Sequence, residues 1–283
     1  MIQEAKKRTN RWCAVAGGLV IGISTTLSSC LPHQDIIVPC VKGPLAVFPT
    51  VYKSGGDSWL LCSHIRVHAG MEVLDVGTGT GIQALTALQQ GAKRVVATDI
   101  NPMAVANVRY NAARRGWTEK VDVRLVPAGD AGAYAVVHPD ERFDLIVSNP
   151  PFFDGNAVNV AERAGIDAGH ELVSSLFAGL RQHLAPRGKL LMVFWGPAGY
   201  EMLRELAAKW GLQLQIIDRG PLIDTSMAKW VYNEQHTSAE TSEGISWMKR
   251  VAGDEIGKKG LQVIVIEAVP DPSLMKHMRE GSS

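Results

Sequence analysis

The sequence predicts an α/β domain organised as a doubly wound, mostly parallel sheet. Three observations carry this. From residue 71 onward, β-branched apolar runs alternate with stretches whose apolar residues recur at helical spacing, the pattern of strands joined by crossover helices. The first strand runs into a glycine-rich turn, Gly77-Thr78-Gly79-Thr80-Gly81. The second and third strands lead to acids, Asp99 and Asp130, at the carboxyl ends where such sheets bind ligands.

The elements follow in order. Residues 71–78 form a buried strand, and residues 81–91 a helix that closes on Gly91, a good C-terminal stop. Residues 94–100 are the second strand. Residues 102–116 are a helix opened by Pro102 and ended by Gly116. Strands at 121–128 and 143–149 come next, then an amphipathic helix over 171–188 stopped by Pro186 and Gly188. A strand at 189–196, a helix at 201–211, and strands at 212–220 and 261–269 complete the pattern. The polar stretch 221–260 is an insertion before the last strand. The domain thus runs over 41–283, with residues 1–40 as an N-terminal extension.

With 283 residues, 46% of them hydrophobic and 20% charged, the chain has ordinary globular composition and enough length for a sizeable core. Its 29 basic and 28 acidic residues leave a net charge of +1, which excludes nucleic-acid binding through bulk charge alone. Cys13, Cys30, Cys40 and Cys62 contain no C-x-x-C pair, so their spacing signals neither zinc nor a disulfide framework. Lys6, Lys7, Arg8 and Arg11 precede an uncharged run at 14–27, the outline of an export signal. Leu27-Ser28-Ser29-Cys30 resembles the lipobox of bacterial lipoproteins. The run is short for a membrane span, so membrane contact is expected only through residues 1–30.

The glycine turn lets a ligand approach the backbone closely. It is not the G-x-G-x-x-G of dinucleotide folds, because Ile82 stands where the third glycine would fall. Asp75, just ahead of the turn, would repel a pyrophosphate and suits a ligand bearing an ammonium group. Asp99 follows Gly77 by 22 residues, the distance at which an acid reaches ribose hydroxyls. Asp130 is placed to accept from the exocyclic amine of an adenine, or else is a solvated loop acid. In Asn149-Pro150-Pro151-Phe152 the prolines keep the preceding backbone out of the helical region. The Asn149 side-chain carbonyl and the Pro150 carbonyl can then accept both hydrogens of one –NH2 group, while Phe152 offers a face to a planar substrate. His64 and His68 share i, i+4 spacing, but Gly70 and a strand follow at once, so no metal site is expected. Trp195, Trp210, Trp230 and Trp247 read as packing residues, the last two deserving notice because they lie in the insertion.

Val73–Gly81, Ala97–Pro102 and Ser148–Phe152, in this order at successive strand ends, resemble class I S-adenosylmethionine-dependent methyltransferases over roughly residues 50–200. The resemblance implies a Rossmann-like, seven-stranded sheet with the last strand antiparallel, and S-adenosylmethionine as cofactor. It implies cofactor contacts at Asp57, Asp75, Gly77, Thr78, Gly79, Gly81, Asp99, Ile100, Asp130 and Asn149. It further implies that catalysis falls to Asn149, Pro150 and Phe152, as methylation of a nitrogen on a planar substrate. Residues 51–61 resemble the segment that covers the cofactor in release-factor glutamine methyltransferases, with Ser54-Gly55-Gly56 replacing the usual proline and second acid. Residues 149–155 also resemble ribosomal-RNA guanine methyltransferases. A protein glutamine is the favoured acceptor, with an RNA base or a small molecule as alternatives. A non-catalytic, membrane-tethered cofactor-binding module is the reading from another class. Because the cofactor is cytoplasmic, so is the expected location, in conflict with the lipobox-like Cys30.

Overall fold

The computed structural model describes residues 31–130, 132–152, 157, 159, 163, 165, 167–196, 198–223 and 261–272. The insertion expected at 221–260 lies outside them from residue 224 onward, with Trp230 and Trp247, as does Cys30, while residues 221–223 continue the strand before it.

A short antiparallel pair, β1 (Gln34–Ile36) and β2 (Leu45–Val47), precedes helix α1 (Gly56–His64). Strand β3 (Glu72–Val76), α2 (Ile82–Gln90), β4 (Arg94–Asp99), α3 (Pro102–Ala113) and β5 (Val121–Leu125) follow as β-α units. Next come β6 (Phe143–Ser148), α4 (Glu171–His183), β7 (Leu184–Gly196), α5 (Ala198–Lys209), β8 (Leu212–Ile223) and β9 (Leu261–Pro270). The main sheet has seven strands in the order β5-β4-β3-β6-β7-β9-β8. β3 to β7 are parallel, and β9 runs antiparallel to both β7 and β8. The expected doubly wound sheet with an antiparallel last strand is therefore present.

Side chains alternate between the two faces of the sheet, as strand geometry requires. Val73, Val95, Leu145 and Val193 pack toward α1, α2 and α3. Leu74, Val96, Ile146 and Phe194 pack toward α4 and α5. Burial on both faces is why these strands read as continuous apolar runs rather than alternating ones.

Three sequence expectations need correction. Helix α4 stops at His183, not at Pro186 or Gly188, and β7 begins at once. His183 is locked there by stacking on Tyr134 (4.4 Å between centroids) and by a hydrogen bond of its Nδ1 with the Glu141 carbonyl. Pro186 and Gly188 fall instead in an irregularity between the pairs Phe143–Leu184 and Leu145–Lys189. A Cβ on Gly188 would come within 2.5 Å of the Phe143 carbonyl, so glycine permits the close approach of the two strands. Second, the packed structure begins before residue 41: Val38 and Val41 belong to the main core, and β1 pairs with the fully buried β2. Third, Cys40 and Cys62 are joined in a disulfide, with Cα atoms 6.1 Å apart, a tertiary pairing that their spacing does not announce.

α1 ends at His64, so His68 lies beyond it and the two histidines share no helix face. His64 instead meets Asp218 of β8, Nε2 to Oδ2 at 2.7 Å. Among the described residues no group of three His, Cys, Asp or Glu side chains is arranged to hold a metal, and no helix is long and apolar enough to cross a membrane.

Candidate active site

The glycine turn is the first wall of the site. Gly77, Gly79 and Gly81 have φ of 72°, 54° and 84°, the left-handed region that side chains disfavour. The turn is tied to the end of β4. Gly77 and Thr78 donate their N–H groups to the Thr98 carbonyl (2.9 and 3.0 Å), and Gly79 donates to Asp99 Oδ2 (2.9 Å). A Cβ at Gly77 or Gly79 would meet nothing within 4 Å. The backbone here faces open space, kept accessible because no side chain fills it.

Asp75 lies behind this turn. Its Oδ2 accepts from Thr78 Oγ1 (2.7 Å) and from the Ala84 N–H at the start of α2 (3.1 Å). It is buried, and burial pushes its pKa up to about 7. The carboxyl that the sequence assigns to an ammonium ligand thus braces the loop from within.

The cleft runs from this turn across the strand ends. Gly77, Asp99, Ile100 and Asp130 line it, as do Pro151 and Arg163. Asp99 is fixed by the N–H groups of Gly79 and Asn101, yet burial still holds its pKa above the ordinary carboxylate value. Asp130 sits at the rim and accepts the Gly132 N–H at 2.9 Å. With Asp167 and Glu171 also in the lining, acids outnumber bases in the cleft, which favours a cationic guest.

The second wall is the turn Asn149-Pro150-Pro151-Phe152, of which Pro151 lines the cleft and Asn149, Pro150 and Phe152 do not. The buried Ser148 donates its Oγ–H to the Val76 carbonyl (2.9 Å), which sets the end of β6 level with the end of β3. Asn149 therefore emerges beside the glycine turn. Its Nδ2 donates to Asp57 Oδ2 (3.0 Å) and Ser58 Oγ (3.1 Å), both on the first turn of α1. Because a carboxylate only accepts, this contact fixes which end of the amide is nitrogen. The carbonyl oxygen Oδ1 is left without a partner among the described residues. Asp57 is in turn held by the Tyr52 hydroxyl (3.2 Å). The structure thus sets Asp57, expected at the cofactor, directly against Asn149. Pro150 is buried. Phe152 is half-buried, edge-to-face with Phe194 at 5.7 Å, and His170 meets the same Phe194 ring at 5.9 Å.

Tyr52 and Ser58 enter the sequence reading only within the segment 51–61, and Thr98 and Arg163 carry no site role in it. Nor do Asn107 and Asn111, although two asparagines four apart on one face of an apolar helix are a legible sign of a buried polar contact.

The residues present fit S-adenosylmethionine: an open glycine backbone, a strand-end acid for a diol, apolar Ile100 and Val126 for a flat ring, and an acidic surround for a sulfonium. What the sheet order and this cleft define is a class, the S-adenosylmethionine-dependent methyltransferases of the class I fold. Within it the chain belongs to the methyltransferase small domain family, whose profile matches residues 52–216. One relative is the tRNA1(Val) (adenine(37)-N6)-methyltransferase of Porphyromonas gingivalis, 33% identical over 124 residues, 42% of this chain and 48% of the relative. Another is ribosomal RNA small subunit methyltransferase C of Mannheimia succiniciproducens, 34% identical over 135 residues, 47% of this chain and 35% of the relative. This chain spans about half the length of these relatives, or less. Among solved structures, the YcgJ protein of Bacillus subtilis shares the fold, with a TM-score of 0.51 at 16% identity over 75% of this chain and 97% of that one.

Proposed function

We propose that this chain methylates an exocyclic amine of a base in RNA, using S-adenosylmethionine, rather than the protein glutamine that the sequence favours. The observation that carries the reading is the orientation of Asn149. Asp57 and Ser58 take its amide hydrogens, which leaves its carbonyl oxygen, without a partner among the described residues, as the end available to an acceptor. An exocyclic amine is a weak nucleophile because its lone pair is delocalised into the ring. Accepting its two hydrogens at Asn149 Oδ1 and at the Pro150 carbonyl returns density to the nitrogen and aligns it. Bound S-adenosylmethionine would supply an electrophilic methyl group on a sulfonium, with Asp99 placed for the ribose diol and Asp130 for the adenine amine. Phe152 offers its ring to the flat acceptor. An amide and a nucleobase amine present the same –NH2 geometry, so this chemistry serves both. The names of the two relatives, one acting on tRNA adenine and one on ribosomal RNA, favour the base.

The enzyme is proposed to act in the cytoplasm, where its methyl donor is made. The test is transfer of labelled methyl from S-adenosylmethionine into fractions of an extract from cells lacking the gene. Label is expected in RNA and, after digestion, in an N-methylated base. Label confined to protein as methylglutamine would restore the first reading. Mature protein lipidated at Cys30 outside the inner membrane would overturn the location.

A further inference from the structure

Residues 45–58 form a strap that crosses both walls of the site, and it is read by buried asparagines on α3. Asn111 is fully buried and uses its whole amide: Oδ1 accepts the Ala46 N–H (2.9 Å), and Nδ2 donates to the Ala46 carbonyl (2.9 Å) and the Thr80 carbonyl (3.1 Å). One turn earlier, Asn107 accepts the Phe48 N–H and donates to the Ala46 carbonyl, both at 2.8 Å. Only Asn111 also reaches the glycine turn. A second tie lies further along: Ser54 Oγ and Thr80 Oγ1 are 2.6 Å apart, both residues buried. Between the ties Thr50 is held at φ 64°, a conformation a β-branched residue adopts only when its surroundings impose it, and Asn101 Nδ2 donates to its carbonyl.

We infer that Asn111 and Ser54 are positioning residues that grip Thr80 from the strap side and so order the glycine turn for the cofactor. Thr80 stands between Gly79 and Gly81, residues with much backbone freedom to lose on binding. Arresting it beforehand removes that cost from the binding step. Asn107 makes strap contacts of the same kind without touching the turn, and serves as the internal control. The inference rests on the cofactor, not on the acceptor, and its test uses no acceptor.

The experiment is calorimetric titration of the full chain with S-adenosylhomocysteine, with the thermal midpoint recorded for each variant. Asn107→Ala and Asn111→Ala should lower the midpoint similarly, since each strips the strap of partners. Affinity should separate them: about tenfold weaker for Asn111→Ala and less than about threefold for Asn107→Ala, the scale of one hydrogen bond to an ordered group. Thr80→Val and Ser54→Ala, smaller changes that keep the fold should Asn111→Ala fail to, are expected to weaken binding by about threefold to tenfold. Equal losses of affinity in Asn107→Ala and Asn111→Ala would overturn the inference. So would unchanged affinity in both Thr80→Val and Ser54→Ala.

Discussion

Asn149 commits its amide nitrogen to Asp57 and Ser58, while the proposed reaction gives its oxygen the acceptor amine, and substitutions should separate the two tasks. Asn149→Ala should leave S-adenosylhomocysteine affinity nearly intact and cost about 2–4 kcal/mol in kcat/KM, a hundredfold or more, as loss of a preorganised acceptor does. Asn149→Asp is harsher, because it sets a second carboxylate against Asp57 and removes the donor that Asp57 and Ser58 need. It should lower both turnover and thermal midpoint, and Asp57→Asn should partly rescue it. Full activity of Asn149→Ala would move the target to oxygen, carbon or sulfur. Asp99→Ala should weaken cofactor binding by about 1.5–3 kcal/mol, part of it through the released Gly79 N–H. The sequence made these residues legible because each stands in a short motif at a strand end. Asp75 was legible as important but not in its role. Nothing local tells a loop-facing carboxyl from a cleft-facing one, and the answer lies in its partners Thr78 and Ala84.

At the scale of the element, the bracing of α2 by Asp75 has a pH signature. The folded carboxyl titrates near 7, against an ordinary value of 3.8. Between those values the folded state holds a proton that the unfolded state has lost, so stability falls as pH rises from about 4 to about 7. Asp75→Asn should flatten that slope in thermal midpoints measured across the interval; an unaltered slope would show that other groups set it. Glu141 works the opposite way. The hydrogen bond from Arg124 holds its pKa down at about 2, so its stabilisation is lost as pH drops below its ordinary 4.5. The strands were legible from composition because both faces of the sheet are covered. The end of α4 was not, because Pro186 and Gly188 stop a helix or distort a strand equally well, and only the neighbouring Phe143 carbonyl decides.

For the whole molecule, the strap was the least legible feature. Its contacts join residues some sixty apart, such as Ala46 with Asn107 and Asn111. A chain begun at residue 52 would strip Asn107 of its Ala46 and Phe48 partners and leave Asn111 only the Thr80 carbonyl, each unsatisfied group costing about 1–3 kcal/mol. Such a fragment should be recovered insoluble, whereas one begun at residue 31 should be soluble. The Cys40–Cys62 disulfide also anchors the strap's leading end to α1. Closing a loop across its 22-residue separation is worth about 3 kcal/mol in the chain-entropy description, so reduction should lower the thermal midpoint measurably. The same pair bears on the compartment, because the cytosol keeps such thiols reduced: rapid alkylation of cells should find Cys40 and Cys62 free, the disulfide closing only on oxidation, and quantitative disulfide in cells would overturn the proposed cytoplasmic location.

The position of β9 has a consequence for how the chain comes into being. β7 and β8 are not paired with each other, and β9 lies between them and supplies the pairing for both. On the ribosome β8 emerges before its partner exists, and β7 waits with one edge open. The apolar sequence Val263–Ile266 must then insert between two strands already made, closing contacts of long sequence separation. Until that happens the nascent chain carries two exposed strand edges, the feature most prone to intermolecular pairing. Translation stalled ahead of residue 261 should therefore yield a product that aggregates or engages chaperones. Stalling with residue 270 clear of the exit tunnel should release a protease-resistant domain.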